Sequence, residues 1–292
     1  AQIRSIKRSN GKVFMDATLT KRDFQQLSSF IYDNLGIKMP DSKSTMLTGR
    51  LTKRLRALEL SSFSEYCDFL FSPEGQEEEM VHLVNVITTN KTDFFREPSH
   101  FSYLTQTALP TLQKTRTYSY QNSLKVWSAG CSTGEEPYTL AMVLSEIEAS
   151  QAGFRFDILA TDISTRVLEI ARRAIYPMGL IQPVAPLFRK KYLLKGKNAK
   201  NPQVRIVPEL RKRVRFGRLN FMDENFGLPY TVDIIFCRNV IIYFDKQTQE
   251  KLMIKFCQFL NQGGYLFLGH SESLHGYDTP LSQVAPTIYR KL

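Results

Sequence analysis

Two apolar patterns divide the chain into an N-terminal and a C-terminal part. From residue 20 to about residue 72, apolar side chains recur every three or four positions, which is the spacing of amphipathic helices. Gly36 and Pro40 interrupt this region and end its first helix. The pattern predicts a small all-helical domain over residues 20–80, preceded by an N-terminal extension over residues 1–19.

After residue 123 the pattern changes to short buried strands that alternate with helices. The predicted strands cover residues 124–128, 156–161, 214–217, 232–237 and 265–268, and the predicted helices cover residues 138–149, 166–174 and 247–260. This alternation is typical of the α/β class, in which a doubly wound, mainly parallel sheet carries helices on both faces. We assign the sheet domain to residues 98–292 and a linker to residues 81–97.

Composition excludes several classes of protein. The chain has 292 residues, of which 42% are hydrophobic and 23% charged, and this composition is typical of globular domains rather than disordered or fibrous chains. No run approaches the roughly 18 apolar residues of a membrane-spanning helix. Four cysteines without C-x-x-C spacing are too few and too scattered for a disulfide framework. We therefore expect a soluble, unexported protein of the reducing cytoplasm.

The net charge of +11 is concentrated in one segment. Residues 188–218 hold twelve Lys or Arg residues and one Glu, so the rest of the chain is neutral overall. Such a block predicts an acidic partner. Within it, prolines flank the alternating residues 204–207, and this pattern predicts a small antiparallel β-subdomain at about residues 188–216.

Candidate chemistry is expected where the strands end, because open α/β sheets bind ligands beyond the carboxyl ends of their strands. The loop after the first strand reads Trp-Ser-Ala-Gly-Cys-Ser-Thr-Gly-Glu-Glu-Pro over residues 127–137. Its small residues allow close backbone approach to a ligand. It matches neither a Walker A loop nor a full G-x-G-x-x-G motif, and Glu135 and Glu136 would repel a phosphate but attract hydroxyl or ammonium groups.

Three further strand ends carry polar side chains. Asp162 follows the second strand, where a carboxylate can accept both hydroxyls of a ribose. Asn220 and Phe221 follow strand 214–217 and offer an amide and an aromatic ring to an adenine. Arg238 and Asn239 interrupt an apolar run, a placement that a packed core does not explain.

These motifs together resemble those of the CheR family, the S-adenosylmethionine-dependent methyltransferases that esterify glutamates of chemotaxis receptors. The resemblance rests on the paired-acid loop, Thr161-Asp162, Phe-Cys-Arg-Asn-Val-Ile-Ile-Tyr-Phe over residues 236–244, Gly-His-Ser-Glu over residues 269–272, and Thr-Asn-x-Thr-x-Phe-Phe-Arg-Glu over residues 89–97. It covers about residues 20–290. It implies a Rossmann-like class I methyltransferase sheet with a β-subdomain insertion and an N-terminal all-α domain.

The resemblance also implies a cofactor, a product and site residues. S-adenosylmethionine would be converted to S-adenosylhomocysteine without a metal ion, and the implied cofactor contacts are Asn90, Thr92, Arg96, Glu136, Asp162, Asn220, Phe221, Arg238 and Asn239. Tyr243 would stand near the transferred methyl group, and Arg96 and Tyr243 are the candidates for orienting the attacking carboxylate. Family members can carry Ala-Ala where this chain has Gly130-Cys131, and the added thiol is expected to be oxidation-sensitive.

The helix over residues 43–58 has one apolar stripe and one basic face. Lys43, Arg50 and Arg54 cluster within about 40° on a helical wheel. The functional interpretation places Arg50, Lys53 and Arg54 against the acidic cytoplasmic helices of methyl-accepting chemotaxis receptors; the alternative is a solvated face. Further expected features are a receptor C-terminal peptide bound at the β-subdomain, and a monomeric enzyme.

Two other functions are suggested by short stretches of the sequence. A serine hydrolase fails because residues 269–273 end in Ser273 rather than the glycine of a nucleophile elbow. A nucleic-acid-binding protein or RNA methyltransferase would use the basic segment, but only three aromatic residues accompany its charges and no RNP-like motif is present. The resemblance therefore implies methyl transfer to protein carboxylates, and nucleic acid remains the alternative.

Overall fold

The computed structural model describes residues 18–119 and 121–292, so the predicted N-terminal extension lies almost wholly outside the described residues. The chain divides into two compact units. One contains the described residues up to Ile31 together with Met39–Ile87, and the other contains Tyr32–Lys38 together with Thr88–Leu292. Within the described ranges, no helix combines the length and the apolar character that a membrane span requires.

The first unit is all-helical, as the apolar spacing predicts. Its helices are α1 (Lys21–Leu35), α2 (Ser44–Ala57), α3 (Phe63–Phe71), α4 (Pro73–Glu78) and α5 (Met80–Ile87). The last residues of α1 belong to the second unit. Thr20 caps α1 by accepting a hydrogen bond from the backbone N–H of Asp23 over 3.1 Å. Leu47, Leu51 and Leu55 of α2 are buried, which confirms the predicted apolar stripe.

Over the residues described in the second unit, seven α-helices combine with ten strands. The helices are α6 (Pro98–Tyr103), α7 (Leu109–Gln113), α8 (Glu135–Ser150), α9 (Thr165–Arg173), α10 (Pro186–Tyr192), α11 (Pro208–Arg211) and α12 (Lys246–Phe259). The strands are β1 (Leu124–Ala129), β2 (Phe156–Asp162), β3 (Ile175–Pro177), β4 (Leu193–Lys195), β5 (Gln203–Ile206), β6 (Val214–Arg218), β7 (Val232–Cys237), β8 (Leu260–Leu268), β9 (Leu281–Ala285) and β10 (Ile288–Lys291).

Seven strands form one large sheet in the order β6-β2-β1-β7-β8-β10-β9. Neighbours from β6 to β8 are parallel, and β10 and β9 are added antiparallel at one edge. Alternate side chains of β7 pack on opposite faces of the sheet. Ile234 and Phe236 belong to the hydrophobic cluster that includes Leu140 of α8. Ile235 belongs to the cluster that includes Phe256 of α12. The predicted doubly wound sheet with helices on both faces is confirmed.

Strand register brings the predicted strand ends together. The last residue of β1 lies opposite Thr161 of β2, and Asp162 lies opposite Arg218 of β6. On the other side of β1, Cys237 at the end of β7 lies opposite Leu268 at the end of β8. The five parallel strands therefore end at one edge of the sheet, and the loops singled out in the sequence share that edge.

A three-stranded antiparallel sheet in the order β3-β5-β4 forms the β-subdomain. Its bounds differ from the predicted range 188–216, because its first strand begins at Ile175 and because β6 pairs in parallel with β2 in the large sheet. Pro208 starts the short helix α11, which separates β5 from β6. Val214 can then bury its side chain in the main core, where it is 6% exposed.

The C-terminal elements also differ from the predicted ones. Strand β8 is longer than the predicted 265–268 and begins directly after α12. Gly263 and Gly264 interrupt the apolar run, so the first half of the strand has no pattern that predicts it. The strand nevertheless requires glycine at position 264, because a Cβ there would lie 2.7 Å from the backbone oxygen of Asp233. Strands β9 and β10 were not predicted.

Candidate active site

The loop after β1 presents a buried carboxylate at the edge of the sheet. Gly130 and Gly134 adopt positive φ values of 85° and 98°, which L side chains rarely adopt, and Gly134 leads into α8. The hydroxyl of Ser128 donates to Oε1 of Glu136 over 2.7 Å, and the Glu136 side chain is only 13% exposed. Burial raises the pKa of Glu136, although Arg238 and Ser128 oppose the shift. The site therefore holds a carboxylate suited to a cationic or hydrogen-bond-donating ligand.

Asp162, at the end of β2, orders two turns. Its Oδ2 accepts from the backbone N–H of Ser132 and its Oδ1 from that of Ser164, each over 2.9 Å. Burial raises the pKa of Asp162, and these amides oppose the shift. The backbone N–H of Ile163 also opposes the shift, and a carboxylate with about four lone-pair positions still has capacity for a ligand hydroxyl. Ser164 itself caps α9 by accepting from the backbone N–H of Val167.

Arg238, after β7, is buried and bonds to several groups of the protein. Its side chain is 2% exposed; Nη1 lies 3.4 Å from Glu136 Oε2, and Nη2 lies 3.2 Å from Glu97 Oε2. Nη2 also donates to the backbone oxygen of Arg96 over 2.5 Å. Because these groups occupy the guanidinium, Arg238 ties the loop after β1 to the segment before α6.

Segment Thr88–Glu97, which precedes α6, closes against this cluster. Phe94 is fully buried, and the hydroxyl of Ser132 donates to the backbone oxygen of Asn90 over 2.9 Å. Thr92 is half-buried in the same segment. The Arg96 side chain is 34% exposed, and its Nη1 donates to the backbone oxygen of Lys91 over 3.0 Å. The structure thus brings the backbone of Asn90 and of Arg96 to the same edge as Glu136 and Asp162.

Asn220 and Phe221, after β6, are largely committed to the protein. Asn220 Nδ2 donates to the backbone oxygen of Asn34 over 2.8 Å, and its Oδ1 accepts from Met222. The Phe221 ring packs edge-on against Phe256, with centroids 5.6 Å apart. The predicted contact of the Asn220 amide with an adenine therefore competes with a bond that the folded chain already makes.

Tyr243 lies in a short turn over Ile241–Tyr243 that follows Asn239. Its side chain is half-buried, and its backbone oxygen accepts from Lys38 over 3.0 Å. The turn is thereby fixed at the same edge of the large sheet, which keeps Tyr243 a candidate for contact with a substrate.

Glu97 and two histidines form a group that sequence spacing did not reveal. Ligand atoms of Glu97, His100 and His270 lie within 4.8 Å of one another, a spacing that could hold a metal ion. Arg238 approaches the same Glu97 oxygen, so a positive charge is already supplied. Burial, together with Arg238, lowers the pKa of His100 to about 4, which makes its imidazole neutral at pH 7. The absence of a metal remains a prediction.

Glu272 is a second buried acid near the site that was not among the predicted site residues. Its carboxylate accepts hydrogen bonds from the backbone N–H groups of Asn239, Val240, Ile241 and Gly269. In the sequence it belonged to the Gly-His-Ser-Glu stretch, which offers no periodic signal. Backbone acceptors of this kind become visible only once the two loops are placed side by side.

The expected oxidation sensitivity of Cys131 is wrong. The thiol is fully buried, and burial raises its pKa well above the ordinary value, with Asp162 and Glu136 adding to the shift. A reactive cysteine needs an exposed thiolate, whereas this one is held as an inaccessible thiol.

In the first unit, the predicted docking arginines make internal contacts. Arg54 donates to both oxygens of Glu79 over 2.8 and 2.6 Å, and Glu79 is 1% exposed. Arg50 donates to the backbone oxygens of Val86 and Ile87 at the end of α5. Lys53, by contrast, is exposed. Of the three, only Lys53 has the exposure of a docking residue.

Comparison with known proteins agrees with this architecture. Residues 22–88 match the model of the CheR methyltransferase all-alpha domain, and residues 90–290 match that of the CheR methyltransferase SAM binding domain. A chemotaxis protein methyltransferase of Borreliella burgdorferi is 38% identical over 97% of this chain and 99% of its own. One of Salmonella typhimurium is 37% identical over 93% of this chain and 90% of its own. The chain therefore belongs to the CheR family of S-adenosylmethionine-dependent methyltransferases.

Proposed function

We propose that this enzyme transfers a methyl group from S-adenosylmethionine to glutamate side chains of chemotaxis receptors, giving glutamate methyl esters and S-adenosylhomocysteine. The observation that carries the proposal is the carboxylate cluster of Glu136 and Asp162 at the sheet edge of a CheR-family chain. Relatives that cover nearly the whole chain are chemotaxis protein methyltransferases. No comparison supports the nucleic-acid alternative, which we do not retain.

The carboxylates at this edge fit the hydrogen-bond donors of S-adenosylmethionine. Asp162 keeps acceptor capacity for a ribose hydroxyl, and the buried carboxylate of Glu136 suits the ammonium group of the methionine moiety. Asn90, Thr92 and Asn239 are proposed to complete the pocket. The proposed role of Arg238 is to hold Glu136 and Glu97 in place, because its guanidinium is already occupied.

When bound, S-adenosylmethionine supplies an electrophilic methyl group whose bond to sulfur breaks with the electron pair staying on sulfur. The protein needs no general base, because a glutamate with a pKa of about 4.3 is already a carboxylate at pH 7. The protein must instead align the attacking oxygen of the receptor glutamate with the methyl group and exclude the water that would solvate this oxygen. Arg96 and Tyr243 are proposed to orient that carboxylate.

Receptor docking is proposed on the exposed basic side of α2. Lys53 carries this proposal, since Arg50 and Arg54 are engaged within the first unit. Acidic receptor helices would be attracted by charge, which predicts a methylation rate that falls as salt screens the surface.

A second proposed docking site is the free edge of β4, which would take a receptor's C-terminal peptide by strand addition. The backbone oxygen of Tyr192 accepts from Val207 and the N–H of Gly196 donates to Gln203, so these two residues face β5. Antiparallel alternation then turns the N–H of Lys195 away from β5, toward an edge that no described strand covers. The N–H of Leu193 also points away from β5, but it donates to the backbone oxygen of Arg189 at the end of α10.

Titration of the protein with the receptor's terminal peptide tests this docking site. Saturable binding that Lys195→Pro abolishes and Lys195→Ala retains would support strand addition, because only proline removes the outward N–H. Absence of binding at millimolar peptide would contradict it. The proposal further includes a monomeric enzyme that acts in the cytoplasm.

The proposed reaction is tested by incubating the protein with methyl-labelled S-adenosylmethionine and receptor-containing membranes. Label on the receptor that mild base releases indicates methyl esters, because N-methyl groups resist base. Label that survives base, or label found on nucleic acid instead, would contradict the proposal.

A further inference from the structure

The Glu272 side chain is saturated by backbone hydrogen bonds. Its Oε2 accepts from the N–H groups of Asn239 and Gly269 over 2.9 and 2.6 Å. Its Oε1 accepts from those of Val240 and Ile241 over 2.8 and 2.9 Å. The residue is 4% exposed, and four bonds fill the roughly four lone-pair positions of a carboxylate. Glu272 therefore has no capacity left to bind a ligand.

What Glu272 holds is the turn that follows β7. Asn239 adopts φ of 59°, a left-handed conformation that non-glycine residues rarely take and that must be stabilised by its surroundings. Three consecutive amides, from Asn239 to Ile241, converge on the single carboxylate of Glu272. The carboxylate thus compensates three N–H groups that the turn would otherwise leave without an acceptor.

Gly269, three residues before Glu272, makes this approach possible. A Cβ at position 269 would lie 2.5 Å from Asn239 Nδ2 and 2.8 Å from the Asn239 backbone nitrogen. Any side chain here would push the turn away from the loop after β8. Gly269 and Glu272 together hold the turn against the loop after β8.

The opposite side of the turn touches the loop after β1. A Cβ on Gly130 would lie 2.5 Å from Val240 Cγ2, and Asn239 Nδ2 donates to Glu97 Oε1 over 3.4 Å. A shift of the turn would therefore move Arg238 and Asn239 relative to Glu136. The contacts that Arg238 and Asn239 make in the proposed pocket therefore depend on this one turn.

We infer that Glu272 is a positioning residue of the methyl-transfer site, which fixes the backbone of the turn and so places Arg238 and Asn239 without touching the cofactor. The inference rests on the proposed cofactor site. It requires a carboxylate rather than an amide: glutamine would direct an NH₂ donor at backbone N–H donors and leave buried amides unpaired.

The test compares the dissociation constant for S-adenosylhomocysteine, measured by calorimetry, with the melting temperature. The matched control is Asp233→Asn, because Asp233 is also a buried carboxylate, 3% exposed, but lies near the start of β7. There it accepts from Arg116, Asn261 and the backbone of Lys125. Both Glu272→Gln and Asp233→Asn are expected to lower the melting temperature.

Only Glu272→Gln is expected to weaken binding, by at least about tenfold, while Asp233→Asn stays within about twofold of the wild-type protein. Unchanged affinity in folded Glu272→Gln would overturn the inference. Should that variant fail to fold, Gly269→Ala decides: it is expected to weaken binding similarly, and normal affinity would overturn the inference. Wild-type protein that binds no S-adenosylhomocysteine would contradict the proposed function itself.

Discussion

The backbone N–H of Ser132 donates to Asp162 Oδ2 over 2.9 Å, so the acid at the end of β2 holds the loop at the end of β1. The hydroxyl of Ser132 also bonds to the backbone of Asn90. One serine thus joins the loop after β1, the end of β2 and the segment before α6. The proposed function gives Asp162 a double role in this arrangement: it orders the loops around the pocket, and we propose that its remaining acceptor capacity binds the ligand.

Substitution of Asp162 should therefore damage the pocket in two ways. We expect Asp162→Asn to cost at least about 1–3 kcal/mol of cofactor binding, because an amide NH₂ would face a backbone donor while a ribose hydroxyl loses its acceptor. Calorimetry with S-adenosylhomocysteine measures the change. Asp157→Asn is the control, since Asp157 lies on the same strand but pairs with Lys125 over 2.6 Å. Equal affinities in the two variants would remove Asp162 from the site.

Arg96→Ala should lower turnover more than about ten-fold, because it would remove the proposed charge-assisted contact to the cofactor or to the attacking carboxylate. Separate measurements of cofactor affinity and turnover distinguish its two possible roles. A parallel loss of affinity would mean that Arg96 binds the cofactor, whereas loss of turnover alone would mean that it orients the substrate. Full activity would exclude both roles.

Arg54 is expected to be a stability residue. Removal of its guanidinium leaves Glu79 buried without its partner, which for buried pairs costs about 3–5 kcal/mol. Thermal unfolding of Arg54→Ala should show a marked loss of stability. A variant as stable as the wild-type protein would return Arg54 to the set of docking candidates.

Lys53 gives the cleaner test of docking. Lys53→Glu should slow receptor methylation, and at low salt more than at high salt, without change in cofactor affinity or melting temperature. Lys251→Glu makes the same charge change at an exposed position of α12 and serves as control. Equal rates in the two variants would argue against docking through Lys53.

Glu135 makes stability depend on pH. Burial raises its pKa to about 7, despite the hydrogen bond from Thr133, so the folded state holds a proton that the unfolded state has lost. Stability should fall as pH rises from about 4.3 to 7, by an order of 3 kcal/mol for this group. Glu135→Gln should thus be more stable than the wild-type protein at pH 8 but not at pH 4. Urea denaturation measures the difference, and an unchanged pH profile would contradict the assignment.

The strand ends could be predicted because parallel buried strands are continuous apolar runs, and Asp162 and Arg238 interrupt or end such runs. Strands whose apolar run is short or interrupted could not be predicted in this way. Strand β3 has three residues, and the glycines of β8 conceal its first half.

Partnerships between distant residues could not be predicted at all. Glu79 stands in an acidic stretch that resembles a solvated linker, yet the fold brings it against Arg54. A basic helical face and the hydrogen-bonding partners of a buried acid have the same appearance in a sequence. Only the packing of α2 against α5 distinguishes them.

The central claim is that the acceptor is a glutamate carboxylate, and mass spectrometry of receptor peptides after reaction tests it most directly. The account predicts a mass increase of one methyl group on glutamate residues, present with the wild-type enzyme, reduced with Asp162→Asn, and removed by mild base. A methyl group on lysine, arginine or another nitrogen, or no modification of the receptor by an enzyme that binds S-adenosylhomocysteine, would contradict it.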